Sequence, residues 1–210
     1  MPNRPYSFYR TLFVVCLVVL VTLALPGRWN RLASPGYLLL AITMIAGLGQ
    51  AGREEARHSP ARHIYRGLGL FTVGAGLVWS LTPLQDRDSG IPLILLWALF
   101  GVWSNLRLMR SLAAERLVNQ PVITGAFAGY LMLGLTAGLL CCALETIHPG
   151  SFRDSAEASG SLLMGQQNGQ AAGQPVWMLS FVRLTYFAFV SLTTVGYGDV
   201  VPASPQAQML

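Results

Sequence analysis

Five apolar runs, each near the length needed to cross a bilayer, divide this chain: about Phe8 to Leu25, Gly36 to Ala51, Ile64 to Leu84, Ile91 to Met109 and Val122 to Ile147. A helical span takes about 20 apolar residues. The second run only just reaches that length and the fifth is the longest. Apolar character is continuous along each run rather than alternating, so the expected elements are membrane helices, not barrel strands. Only 11% of the 210 residues are charged and 53% are hydrophobic, whereas a soluble domain carries about 25% charged residues. Hydrocarbon is the solvent that explains the missing charge.

The net charge of +5 comes from arginine alone, because the chain has no lysine. The arginines lie between the apolar runs rather than in one patch, which fits membrane topology and not nucleic-acid binding. Arg4 and Arg10, then Arg53, Arg57, Arg62 and Arg66, then Arg107, Arg110 and Arg116 fall in three stretches that share one side of the membrane. The positive-inside rule puts that side, and the N-terminus, in the cytoplasm. Arg4 and Arg10 before an apolar run also have the form of a secretory signal, but four more such runs favour a first spanning helix. A voltage sensor needs arginine at every third position over several turns, with acidic partners at membrane depth. The fourth run has only Arg107 and Arg110, at its inner end, so they are expected to anchor a boundary. Steep voltage dependence is not expected. Cys16, Cys141 and Cys142 are read as small buried hydrophobes; they have no metal-ligand spacing with a histidine.

The connection from Gln50 to Tyr65 is polar and arginine-rich. The one from Pro149 to Pro175 is rich in Gly, Ser, Gln and Ala and is expected to be a flexible extracellular loop. The fifth run contains Gly125-x-x-x-Gly129 and Gly134-x-x-x-Gly138, a spacing that lets membrane helices approach closely. Trp29, Trp79 and Trp177 suit interface anchoring, and Trp97 and Trp103 suit packing.

After Pro175 comes a mostly apolar stretch, expected to be helical over 176–193, that runs directly into Thr194-Val195-Gly196-Tyr197-Gly198-Asp199. The change from apolar helix to polar, glycine-spaced chain suggests a half-helix that enters the membrane and returns as an extended loop. Non-helical backbone at that depth is tolerated where protein buries it or water touches it. A row of backbone carbonyls facing one axis can replace the water around a cation, and the unusual backbone angles it needs suit Gly196 and Gly198. Thr194 can add its hydroxyl at the inner end. Val195 and Tyr197 are expected to point away from the axis and wedge against the helix. Asp199 would mark the outer mouth, where a carboxylate raises local cation concentration.

Thr193-Thr194-Val195-Gly196-Tyr197-Gly198-Asp199 resembles the signature of the potassium channel superfamily over seven contiguous residues. The layout is similar to bacterial six-helix channels with one pore loop. The resemblance is specific over about 175–202 and rests on helix count before that. It implies an all-α membrane protein: a four-helix transmembrane domain over 1–120, then a pore domain over 121–210. The latter would hold an outer helix (122–147), an extracellular loop (148–175), a re-entrant pore helix (176–193) and a selectivity filter (194–199). It implies carbonyl ligands to K+ from Thr194, Val195, Gly196 and Tyr197, with Gly198 completing the filter. Tyr186 and Phe187 match an aromatic pair that braces the filter with Thr193. Tyr186 retains a hydroxyl able to reach Asp199, whereas Phe187 has none. Some members carry a glutamate where this chain has Val190. Glu145 is near where members place an acid that braces the outer pore; an interfacial carboxylate in water is the alternative. The implied partners are three further copies of the chain, the lipid bilayer and K+, in a cell inner (plasma) membrane, with no cofactor besides the permeant ion.

Eleven residues follow Asp199, too few for the inner helix such a pore requires. The expectation is a longer channel cut short, so that this chain alone carries no current. A non-conducting modulatory subunit is the alternative. A membrane enzyme would need titratable groups converging at depth, and no Ser-His-Asp or metal constellation is present.

Overall fold

The computed structural model describes residues 4–24, 33–48, 60–81, 91–115, 118–155 and 181–210. They form helices α1 (Arg4–Ala24), α2 (Ala33–Leu48), α3 (Pro60–Leu81), α4 (Ile91–Ala113) and α5 (Gln120–Ile147), then strand β1 (Phe152–Asp154), helix α6 (Phe181–Leu192), strand β2 (Val200–Pro202) and helix α7 (Pro205–Gln208). Proline falls within the first three residues of every long helix, as Pro5, Pro35, Pro60, Pro92 and Pro121. Its missing N–H costs nothing there, because the first turn has no intrahelical acceptor, and its fixed φ suits a helix start.

Three of the five expected spans meet the requirement of length and apolar content among the described residues: Ser7–Ala24, Pro92–Ala113 and Gln120–Ile147. Over their described residues the other two are helices that do not meet it. Helix α2 has 16 residues, which at about 1.5 Å per residue reaches about 24 Å against a hydrocarbon core of about 30 Å. Helix α3 has 22 residues, but Arg62, His63 and Arg66 occupy its first two turns and four glycines dilute the remainder.

The backbone packs as two units, residues 1–77 with 99–133 and residues 78–98 with 134–210. In the first, α1 packs along α2. A Cβ on Gly47 would fall 1.8 Å from the Phe8 ring, and one on Gly36 would meet Val19 at 3.3 Å. Gly125 lies against Tyr9 and Leu112, and Gly129 against Leu108. Tyr65 is fully buried: its hydroxyl pairs with Ser104 Oγ at 2.9 Å and its ring stacks on Phe100. Trp103 meets that ring edge-on. The Arg107 guanidinium sits 4.5 Å from the ring centroid and donates to the Leu48 carbonyl at 3.2 Å, at the C-terminus of α2. The cation complements the negative end of the helix.

In the second unit, α6 lies against the C-terminal half of α5, and the glycine spacing has its physical use there. A Cβ on Gly134 would fall 2.4 Å from the Phe189 ring, and one on Gly138 would fall 2.7 Å from Thr185 Oγ1 and 2.9 Å from its Cα. The all-helical expectation needs one correction. Strands β1 and β2 pair antiparallel, with Phe152 opposite Pro202, Arg153 opposite Val201 and Asp154 opposite Val200. Flanking bonds from Ala203 N to Ser151 O and from Ser155 N to Asp199 O, both 2.7 Å, extend the pairing. The loop expected to be flexible over 149–175 is therefore ordered at its start. Phe152 and Asp154 turn inward and Arg153 outward, an alternation too short to stand out in a loop of otherwise Gly/Ser/Gln character. Residues 156–180 lie outside the described residues, and with them the first five positions of the expected helix over 176–193.

Candidate functional site

The site begins at the end of α6. The Val195 N–H donates to Val190 O at 3.1 Å and the Thr194 N–H to Ser191 O at 3.0 Å, the pair of bonds that defines a Schellman C-cap. Thr194 occupies the left-handed position of that cap, with φ +59°. Glycine is usual there, because a β-branched residue at positive φ is strained by about 1–3 kcal/mol. The Gly196 N–H also reaches Val190 O, at 3.4 Å, and Thr193 Oγ1 donates to Phe189 O at 2.8 Å. The final carbonyls of α6 are thus taken up by the residues that follow.

Positive φ then recurs at every second residue: Thr194 at +59°, Gly196 at +58° and Gly198 at +75°. Val195 and Tyr197 between them keep negative φ. In an ordinary strand successive peptide planes flip, so carbonyls point alternately to opposite sides. Alternating the hand of φ cancels that flip: successive N–H groups gather on one side, as in an anion-binding nest, and the carbonyls gather on the other. The sequence assigned this freedom to the two glycines. That Thr194 shares it is legible only from the cap.

Residues 193–198 are exposed. Within one chain Val195 and Tyr197 are 51% and 71% exposed. Side chains of that apolar character on an extended segment have no core of their own chain to enter.

The far end of the segment is held by charge. Asp199 Oδ1 accepts from the N–H of Val200 at 3.0 Å, and Asp199 Oδ2 lies 3.8 Å from Arg183 NH1. The other side of the same guanidinium pairs with Asp154, Nε to Oδ2 at 3.0 Å. The Tyr186 hydroxyl interacts with the Asp199 carboxylate. Phe187 meets Phe152 edge-on, with centroids 5.2 Å apart. The two aromatics expected to act as a pair thus do different things: Tyr186 reaches Asp199, and Phe187 packs on β1.

Glu145 is 3% exposed, which removes the alternative of a carboxylate in water. Its two oxygens accept from the N–H groups of Gly150 at 2.8 Å and Phe152 at 2.9 Å. The turn that presents these donors requires Gly150 at φ +86°, where a side chain would be strained. Thr194, Val195, Gly196, Tyr197, Gly198 and Asp199 therefore form one segment, with Tyr186 at its outer end and Thr193 at its inner end. Glu145 and Phe187 hold the turn and β1. Asp154 and Phe152 escaped the sequence reading, because composition assigned them to a flexible loop. The one available signal was the strong apolar ring of Phe152 inside a polar stretch.

Residues 161–210 match the model of a family described as an ion channel. No characterised protein and no solved structure matches the chain. The matched part contains α6 and the whole exposed segment. With three apolar helices long enough to span a bilayer, it supports ion transport by a membrane protein and gives no support to an enzyme.

Proposed function

We propose that the chain is a subunit of a potassium-selective channel in which four copies surround one axis and let K+ pass down its gradient. The observation that carries the reading is the alternation of left-handed residues at 194, 196 and 198, the backbone pattern that a row of carbonyls facing a common side calls for. Four such rows make cages of oxygen that replace the hydration shell of a monovalent cation. Thr194, Val195, Gly196 and Tyr197 would supply the ligating carbonyls. One filter segment per chain requires cyclic symmetry, and the exposure of Val195 and Tyr197 within a single chain is what neighbouring copies would cover. The arginine distribution favours a cytoplasmic N-terminus in a cell inner membrane, with residues 121–210 as the pore domain.

Gly196→Ala tests this in the full-length protein reconstituted into vesicles. A Cβ at φ +58° forces the peptide plane to turn, at a cost of about 1–2 kcal/mol per subunit, so one carbonyl leaves the row in each copy. Rubidium uptake is expected to fall to background, and any residual flux to lose its preference for K+ over Na+. Uptake and selectivity equal to the unmodified protein would sink the reading.

A further inference from the structure

Arg183 stands between two carboxylates that belong to different parts of the fold. Asp154 is on β1 and is 2% exposed; Asp199 ends the segment and is 34% exposed. The guanidinium is closer to the buried partner, 3.0 Å against 3.8 Å. β-Pairing fixes this arrangement, because Asp154 lies opposite Val200, the residue next to Asp199. We infer that Arg183 divides its charge between Asp154 and Asp199, and so sets how much negative charge the outer end of the filter offers an arriving cation. Asp154 is then a positioning residue: it never meets the ion, but by holding the guanidinium it keeps Asp199 from being neutralised. The Tyr186 hydroxyl and the Val200 N–H, both on Asp199, orient its carboxylate without cancelling its charge. The inference rests on the channel reading above and adds a determinant of its rate.

The consequence differs in sign from that of a simple brace. With Asp154→Asn the guanidinium loses its buried counter-charge and turns to Asp199, so the mouth becomes less negative. Arg183 alone is a poor target, because its removal takes the guanidinium from the buried Asp154 charge. The double variant Asp154→Asn, Arg183→Gln removes both charges and leaves Asp199 unopposed. The measurement is the unitary inward current of the full-length protein in planar bilayers, taken as the ratio of its value at low external K+ to its value at high external K+. That ratio does not depend on how much protein folds. A charged mouth raises local cation concentration most when the ion is scarce. Asp154→Asn is expected to lower the ratio about threefold, and the double variant to return it to the unmodified value or above. Impermeant salt should collapse both differences, because it screens the mouth. An unchanged ratio in Asp154→Asn, a double variant lower than the single one, or loss of current in both would overturn the inference and leave the channel reading standing. Absence of K+-selective current in the unmodified protein would instead remove the reading, and this inference with it.

Discussion

The two packing units close their buried polar groups in different ways. In the unit built from α1, α2, most of α3 and residues 99–133, the partnerships each join one group to one acceptor or donor. Tyr65 answers Ser104, Thr72 answers the Leu68 carbonyl, and Arg107 answers the end of α2. In the other unit the links run in series. Glu145 gathers the turn, the turn sets β1, β1 presents Asp154, and Asp154 holds Arg183 beside Asp199. The segment at the end of this series has exposed side chains and is fixed only at its two ends, by the cap on α6 and by the charge cluster. A paired interaction lost in the first unit should cost its own free energy and nothing more. A link lost in the second should also be felt at residues 194–199.

Glycine gives the largest test of the difference. Gly138 of α5 has Thr185 so close that an added Cβ would lie 2.9 Å from backbone, whereas Gly74 of α3 has nothing within 4 Å. Gly138→Ala should therefore force α6 off α5 and destabilise the protein by about 1–3 kcal/mol. Gly74→Ala should be neutral or stabilising by up to about 1 kcal/mol, since it removes the backbone freedom of a mid-helix glycine. Thermal unfolding in detergent compares the two. Equal shifts would mean that the close approach of α5 and α6 does not exist in the assembled protein.

Glu145 comes next. Glu145→Ala leaves the N–H of Gly150 and the buried N–H of Phe152 without their acceptor, a cost of about 2 kcal/mol. Glu145→Gln retains one oxygen and should cost less. Because the turn leads to β1 and Asp154, the alanine variant should also change cation flux through the assembled pore. Lost stability with unaltered flux would break the series and reduce Glu145 to a local cap.

How much of this was legible in the sequence follows from the range of each interaction. Helices α1, α4 and α5 were readable because continuous apolar runs reflect the solvent around them, and the segment at 194–199 because its residue types are dictated by backbone geometry. Among the described residues α2 is too short to span, and α3 is diluted by its basic first turns and its glycines, which counting apolar runs did not weigh. Strand β1 was hidden for another reason. Three residues give too short an alternation to register, and their order comes from Glu145 and Arg183, seven residues upstream of Phe152 and 29 residues downstream of Asp154. The split between Tyr186 and Phe187 was likewise invisible, since neighbouring residues on a helix lie about 100° apart and face different partners.

Tyr65→Phe is the smallest perturbation and the control for the others. It removes one buried hydroxyl and its 2.9 Å bond to Ser104, while the ring remains to stack on Phe100 and to carry the Arg107 guanidinium on its face. A lost neutral hydrogen bond costs about 1 kcal/mol. The orphaned Ser104 hydroxyl can turn back to a carbonyl one turn earlier in α4, as serine does inside helices, which lowers that cost. Stability should fall by about 1 kcal/mol or less, with K+-over-Na+ preference and the low-to-high K+ current ratio unaltered. A shift in either would mean that the paired contacts of the first unit also govern the segment at 194–199, and the distinction between local pairs and a linked series would fall.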